Sequence, residues 1–222
     1  MERFEERRKA TLERLAREGV AHHQNLPRVE TSSEVVLKDK REICKKAIST
    51  LLVIQLAFSI NNGEDYNESK EFISNLLKKY GVQDSLNALE KRIMDGSYSE
   101  QDVLNCTWQY ECYCSLCWAL GLIEESELAP PKSICDCEKA ITLVASSSSF
   151  EDFESKCALR DVEEILDMVD LFYNYHWATV EKRFNPDLKL GGISSDVTFE
   201  RRRGLEWLIS KENDWHEISL DT

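Results

Sequence analysis

Residues 158–185 read ALRDVEEILDMVDLFYNYHWATVEKRFN, and their apolar and charged residues recur at helical spacing on two different faces. One face is apolar, and its members are Val162, Ile165, Leu166, Val169, Phe172, Tyr173, His176 and Val180. The other face is polar, and its members are Arg160, Glu163, Asp167, Asp170, Asn174 and Glu181. The spacing predicts one long helix that is buried along its apolar face. The polar face is either a solvated surface or the wall of a charged pocket, and the sequence leaves both open.

The rest of the chain also indicates helices, because only 8 Gly and 4 Pro are available to separate short strands. We predict further helices at residues 2–19, 33–60, 68–80, 83–94, 99–122, 135–145, 149–157 and 195–211. The helix at 99–122 carries apolar residues on two sides, which is typical of a central helix. The expected fold class is therefore all-α, a single multi-helix bundle-like domain with a peripheral N-terminal helix. We assign 1–33 to an N-terminal helical arm and linker, and 34–222 to the all-α domain.

Composition and charge narrow the classes of function. With 42% hydrophobic and 31% charged residues, the chain of 222 residues fits a folded globular protein. Its formal net charge of −13 disfavours nucleic acid and anionic membranes as partners, and it fits either a basic protein partner or solubility alone. No apolar run reaches the ~18 residues that span a bilayer. The charged N-terminal segment also lacks a signal-peptide core, so we expect a cytoplasmic protein without membrane contact.

The cysteines raise the question of a metal site. Cys112, Cys114 and Cys117 lie close together in the sequence, and Cys135 and Cys137 follow. A structural zinc site needs about four ligands that converge on one point, whereas helical spacing puts Cys112 on a different side from Cys114 and Cys117. We therefore expect buried thiols in a reducing compartment, and we predict neither a metal nor a cofactor.

Glu111 and Arg201 form the sharpest pair of candidate residues, because both fall on otherwise apolar helix faces. A charge in apolar surroundings needs a counter-charge. For Glu111 the candidate partners are Arg201 and Arg160, and for Arg201 they are Glu111, Asp167 and Asp170. Such a pair either orients helices or lines a pocket, in which Glu111 or Asp170 would act as base while Arg201 holds an anion.

His176 lies on the apolar face between Tyr173 and Val180. It is either a core histidine satisfied by one hydrogen bond, which we favour, or a general base or pH switch. The sequence contains no glycine-rich phosphate loop, no HExxH motif and no GxSxG motif. No residue is therefore assigned as catalytic.

Four segments in this order resemble a bacterial family catalogued as domain of unknown function 4272. The segments are WQYECYCSLCWALGLI from Trp108, LRDVEEILDMVDLFYNYHWA from Leu159, FERRRGLEWLI from Phe199 and WHEISLDT from Trp215. The resemblance implies a helical domain, and the family has no established activity to carry over. It adds weight to a candidate pocket made of Trp108, Glu111, Arg160, Asp170, His176, Trp177, Glu200, Arg201 and Trp207, and to Asp221 beside them.

Two functional hypotheses follow. The first, which we favour, is a cytoplasmic protein-interaction module without catalysis, of the immunity or antitoxin kind, that masks a basic partner through its acidic faces. The alternative is a small-molecule-binding protein or hydrolase-type enzyme that uses a buried Glu/Asp/Arg pocket. A solvent-connected cleft at Glu111, Asp170 and Arg201 would favour the alternative. The sequence leaves the oligomeric state open.

Overall fold

The computed structural model describes residues 3–222 and shows a helical protein, so the all-α prediction is confirmed. In chain order the helices are α1 (Arg3–Glu18), α2 (Lys40–Asn61), α3 (Tyr66–Tyr80), α4 (Ala88–Asp95), α5 (Glu100–Ala119), α6 (Glu125–Leu128), α7 (Cys137–Ala145), α8 (Phe150–Lys156), α9 (Val162–Glu181) and α10 (Ser195–Ile209). Two short 3-10 turns lie at Gln83–Ser85 and Trp215–Glu217.

Helix α5 lies at the centre of the bundle, as its two apolar sides predict. Every residue from Gln109 to Ala119 is buried, so neighbouring elements must cover the helix all round. Helix α2 packs on one part of this surface and α10 on another, and α9 packs against α10. The core therefore forms around the helices that carry Glu111 and Arg201.

Capping residues explain why three helices begin later than predicted, and the helix expected from residue 83 begins at Ala88, after the capping box of Asn87. The helix expected from residue 158 begins at Val162, because the Asp161 side chain accepts a hydrogen bond from the backbone N–H of Glu163. Just before it, the N–H groups of Ala158 and Arg160 donate to carbonyls at the end of α5 instead of forming helix. The helix expected from residue 33 likewise begins only after Asp39, whose side chain caps α2.

Helix α1 lies at the edge of the bundle, where it packs along α9. Its buried residues are Arg7, Thr11 and Leu15. Its C-terminal end is fixed by an isolated antiparallel bridge between Val20 and Leu190. The division of the chain between residues 33 and 34 stays a prediction.

Helix α2 is long and apolar enough to cross a membrane by length and composition alone, and 72% of its most apolar window is buried inside the protein. No other helix within residues 3–222 meets that criterion. An all-round apolar helix is either a membrane span or a core helix, and the covering of α2 by its neighbours is what a core helix requires. The expectation of no membrane partner stays a prediction.

Candidate functional site

The predicted pairing of Glu111 with a cation is confirmed, and its partner is Arg201. Arg201 Nε on α10 donates to Glu111 Oε2 on α5 over 2.8 Å. The two residues are only 2% and 1% exposed, respectively. Because each charge is removed from water, each depends on the other for its counter-charge. This ion pair therefore joins the two central helices inside the core.

The same two side chains also hold the connection between α6 and α7. Arg201 Nη1 donates to the carbonyl of Leu128 over 2.6 Å, and Nη2 donates to that of Ser133 over 3.0 Å. Glu111 Oε1 accepts the N–H of Cys135 over 2.8 Å. The ion pair thus satisfies backbone groups of an irregular segment that helices alone would leave unpaired. Its contacts are those of a structural anchor.

A close approach of α5 and α10 brings the pair together. A Cβ atom added at Gly204 would lie 2.7 Å from the backbone oxygen of Cys112, so only glycine fits without moving a helix. Ser115 Oγ donates to the carbonyl of Arg201 over 2.8 Å. Small residues on both helices therefore set the spacing at which Arg201 reaches Glu111.

Asp170 does not join Glu111 and Arg201. It is 1% exposed and pairs with Arg8 of α1, whose Nη2 lies 2.7 Å from Asp170 Oδ1. Arg8 also donates to the carbonyls of Leu26 and Pro27. Since the N-terminal helix supplies the counter-charge, Asp170 takes no part in a shared Glu/Asp/Arg pocket. The near-zero exposure of all three charged residues also leaves them without a solvent-connected cleft.

The polar face of α9 is a docking surface for α1, which differs from both alternatives that the sequence left open. Arg7 Nη2 lies 2.6 Å from Glu163 Oε2, and Arg7 Nε lies 2.8 Å from Asp167 Oδ1. Farther along, the hydroxyl of Tyr175 donates to the carboxylate of Glu18. The arginines of α1 therefore neutralise the acidic face of α9 within the molecule.

His176 is a buried histidine held by an arginine. Arg202 Nη1 donates to His176 Nδ1 over 2.6 Å. Burial, together with the positive charges of Arg202 and Arg183, lowers the pKa of His176 to about 4. The ring is therefore neutral at pH 7. Arg202 also donates to the carbonyls of Leu220 and Asp221, so the same side chain holds the C-terminal segment.

Arg160 and Glu200 each have local partners of their own. Arg160 Nε donates to the carbonyl of Trp118 over 2.8 Å, and its guanidinium lies 4.9 Å from the centre of that ring. Glu200 pairs with Arg203 over 2.7 Å. Burial raises the pKa of the Glu200 carboxyl. These two residues are not gathered with Glu111 in one pocket.

The predicted tryptophans also lie apart. Trp207 is buried and makes an edge-to-face contact with Trp215 at 6.1 Å between ring centres. Trp177 is half-buried and lies beside His23. Trp108 is half-buried on α5. The nine residues of the predicted pocket therefore belong to several separate contacts, most of which hold helices together.

A second buried ion pair, which was not predicted from the sequence, joins α2 and α4. Lys46 Nζ on α2 lies 2.8 Å from Glu90 Oε2 on α4, and Thr50 Oγ1 donates to Glu90 Oε1 over 2.6 Å. The Lys46 ammonium also lies 4.2 Å from the centre of the Trp215 ring. The sequence signal for this position was Asn87 followed three residues later by Glu90, a spacing typical of a capping box. The two side chains form that box at the start of α4, and it fixes the position of Glu90.

Six of the eight cysteines are buried, as predicted, and Cys135 and Cys137 are half-buried. All eight are free thiols. Within residues 3–222, no three or more His, Cys, Asp or Glu side chains come together as a group that could hold a metal ion. Burial raises the pKa of the Cys114 thiol to about 12, which keeps it protonated at neutral pH.

An open apolar groove of about 720 Å³ lies between α2, α3 and α7, away from the buried ion pairs. We call it the α2–α3–α7 groove, and its apolar lining includes Leu51, Leu52, Phe58, Phe72, Ile73, Leu76, Tyr80, Ile141, Val144 and Ala145. Phe72 is 64% exposed, and Phe58 and Ile141 are also exposed large apolar residues. The sequence signal for the groove was a second apolar pair on α3. Phe72 and Leu76 each directly precede a buried residue, Ile73 and Leu77.

Charged side chains mark the two ends of this groove. Glu64 and Glu68 line it near the start of α3, and Lys79 lines it near the end of the same helix. Within residues 3–222, neither glutamate forms a salt bridge. The groove therefore offers an apolar surface with carboxylates free to meet a cation at one end.

Fold and site together define the class of this protein: an all-α domain held by buried ion pairs, with an apolar groove open to solvent. The chain belongs to the family described as Domain of unknown function (DUF4272), whose model matches residues 7–218. The family has no established activity. The match begins inside α1 and runs across the division expected at residue 33. No curated protein and no solved structure matches the chain.

Proposed function

We propose that this chain is a cytoplasmic protein-interaction module that receives its partner in the α2–α3–α7 groove. On this proposal it acts in the manner of an immunity protein or antitoxin and masks a basic protein. The observation that carries the proposal is the set of exposed large apolar side chains on the groove, Phe58, Phe72 and Ile141. Large contiguous apolar patches rimmed by polar residues mark interaction sites, and on this proposal the partner extends over these three side chains and the polar rim beside them.

The charge of the chain supports a basic partner. A net charge of −13 attracts a cationic protein over distances of about a Debye length and raises the rate of encounter. The apolar lining then supplies the short-range contact that charge alone does not give. A partner with basic residues around an apolar segment satisfies both features.

The contacts of the predicted pocket residues also support binding over catalysis. Glu111, Asp170 and Arg201 are buried in ion pairs, and His176 is bound by Arg202. Each of these groups is already engaged in holding helices or the C-terminal segment. The exposed groove offers apolar contact and carboxylates, which suit the binding of a protein surface.

A single substitution in the groove tests the proposal. Phe72→Glu puts a charge on the apolar wall, and because Phe72 is 64% exposed the fold should tolerate it. The matched control is Phe184→Glu, at a residue that is 80% exposed and lies outside the groove lining. Both variants and the wild-type chain are used to capture proteins from the native host at low and moderate salt, after circular dichroism has verified folding.

The expected result is a basic protein captured by the wild-type chain and by Phe184→Glu, and lost with Phe72→Glu. Recovery of no stable partner at either salt concentration would overturn the proposal. Equal capture by Phe72→Glu would also overturn it, because the partner would then bind elsewhere.

A further inference from the structure

We infer that the occupant of the α2–α3–α7 groove is an amphipathic helix of about three turns whose basic residues lie at the Glu64 and Glu68 end. This inference rests on the function proposed above and adds the class of partner segment, its length and its placement. It follows from the shape of the groove, from its hydrogen-bonding groups and from the charges at its two ends.

The shape of the groove fits a helix. Most of its lining residues lie on α2, α3 and α7, so the surface is built mainly from helix faces. The lining on α3 runs from Glu68 to Tyr80, which at 1.5 Å per residue is about 18 Å. A helix of about 12 residues has this length. Apolar residues at positions i, i+4 and i+7 of such a helix would face the groove together.

The hydrogen-bonding groups of the groove disfavour an extended segment. A bound strand needs free backbone N–H and C=O groups along the surface that receives it. The walls here are α-helices, whose backbone groups are already paired within each helix. The polar side chain Gln55 is also engaged, because its Nε2 donates to the Tyr110 hydroxyl over 2.5 Å. A helix satisfies its own backbone and needs only apolar contact.

The charges at the two ends give the occupant a preferred placement. Glu64 and Glu68 lie at one end without a salt-bridge partner among residues 3–222, and Lys79 lies at the other end. Basic residues of the occupant are therefore attracted to the glutamate end and repelled at the lysine end. A second copy of this chain is a poor occupant, because two molecules of charge −13 repel each other.

Binding of designed peptides to the full chain tests the inference. The test uses three helical peptides that share one scaffold and carry a fluorescein label and a lactam staple. Each has 11 or 12 residues, the length that the rise per residue gives. The first has Leu at i, i+4 and i+7 and two Lys at one end; the second has Glu in place of the two Lys. The third keeps the Lys and replaces the Leu with Ser. Affinity is measured by fluorescence anisotropy.

We expect the Lys peptide to bind about threefold to tenfold more tightly than the Glu peptide, since exposed ion pairs are individually weak. The Ser peptide should not bind, and Phe72→Glu should abolish binding of the Lys and Glu peptides. The double variant Glu64→Lys/Glu68→Lys should invert the preference between the Lys and Glu peptides. The control Glu212→Lys/Glu217→Lys changes net charge equally at exposed residues outside the groove, and it should keep the preference.

Equal affinity for the Lys and Glu peptides, or equal effects of the two double variants, would overturn the charge placement. Failure of every peptide to bind would overturn the helical occupant. If Phe72→Glu still loses the host partner in either case, the proposed function stands and only the inference falls. A dimer in sedimentation that Phe72→Glu dissociates would overturn the inference in favour of a second copy as occupant.

Discussion

The contact between α5 and α10 and the contact between α1 and α9 both rely on arginine–carboxylate pairs, yet they differ in surroundings. At α5–α10 the Glu111–Arg201 pair is enclosed by core, and the helices approach closely at Gly204. At α1–α9 the pairs form a row, and its outer member Asp167 is partly exposed to solvent. Water and salt can therefore reach the second contact but not the first.

The same pair of residue types therefore acts in two ways at these contacts. An enclosed pair is a fixed part of the core, because breaking it would strand a charge away from water. A row of partly exposed pairs holds a peripheral helix with a strength that depends on salt.

Arg201→Met should give the largest loss of stability. It leaves the Glu111 carboxylate buried without a counter-charge, and we expect the free energy of unfolding to fall by about 3–5 kcal/mol. Urea denaturation measures the change. The double variant Glu111→Met/Arg201→Met removes both charges and should recover part of the loss, because the backbone groups of Leu128, Ser133 and Cys135 stay unpaired. If the single and double variants were equally unstable, the enclosed pair would not depend on mutual compensation.

Arg8→Ala should release α1 with a smaller cost, because the Arg8 side chain is partly exposed and its removal opens Asp170 to water. Asp170 loses its partner, and we expect a loss of about 2 kcal/mol, below the range for fully buried pairs. Hydrogen exchange should show faster exchange in α1 and unchanged protection in α5. Adding 1 M salt to the wild-type chain should shift exchange in the same direction. Uniform loss of protection across α1 and α5 would contradict the distinction between the two contacts.

Gly204→Ala should test the close approach of α5 and α10. The added methyl group would lie 2.7 Å from the Cys112 backbone oxygen, so the helices must move apart. Overpacking of this kind costs about 1–3 kcal/mol, which the better helix propensity of alanine offsets by about 1 kcal/mol. We expect a net loss of about 1 kcal/mol in urea denaturation. A gain in stability would show that α10 shifts freely at this position.

His176 should make stability depend on pH across the α9–α10 contact. Its pKa is lowered to about 4 in the folded protein, while the unfolded chain titrates near 6.5. The unfolded state therefore binds more protons between these values, and stability falls as the pH drops from about 6.5 towards 4, by at most about 1.4 kcal/mol per pH unit. His176→Gln should flatten this slope in urea titrations at pH 4.5 to 7.5. An unchanged slope would contradict the assigned burial.

The helical class and the central ion pair could be predicted because both follow from periodicity. A carboxylate at Glu111 and a guanidinium at Arg201 interrupt apolar stripes, and a buried charge requires a partner. The partner of Asp170 could not be predicted in this way. Arg8 lies on a helix that is charged on most sides, so its spacing does not show which arginine meets which carboxylate.

The groove could not be predicted from the sequence for a different reason. Exposed Phe72 and buried Ile73 are adjacent apolar residues of one amphipathic helix, and periodicity does not tell a covered apolar position from an open one. The packing of α3 against α2 buries Ile73 and leaves Phe72 exposed, and only the folded structure shows this. Sequence patterns therefore indicated the buried half of the molecule better than its surface.

The bridge between Val20 and Leu190 has a consequence for the acidic face of α9. Because this bridge fixes the C-terminal end of α1 beside Gly191, a separation of α1 from α9 would begin at Arg3 and leave Glu18 in place. Its return is then an intramolecular step, governed by an effective concentration of about millimolar order. A free cationic ligand competes with α1 for Glu163 and Asp167. To displace α1 it needs either a concentration above this effective concentration or a higher affinity for the two carboxylates than the arginines of α1 have. The acidic face of α9 therefore favours the arginines of α1 over free cations, while the α2–α3–α7 groove is open to solvent.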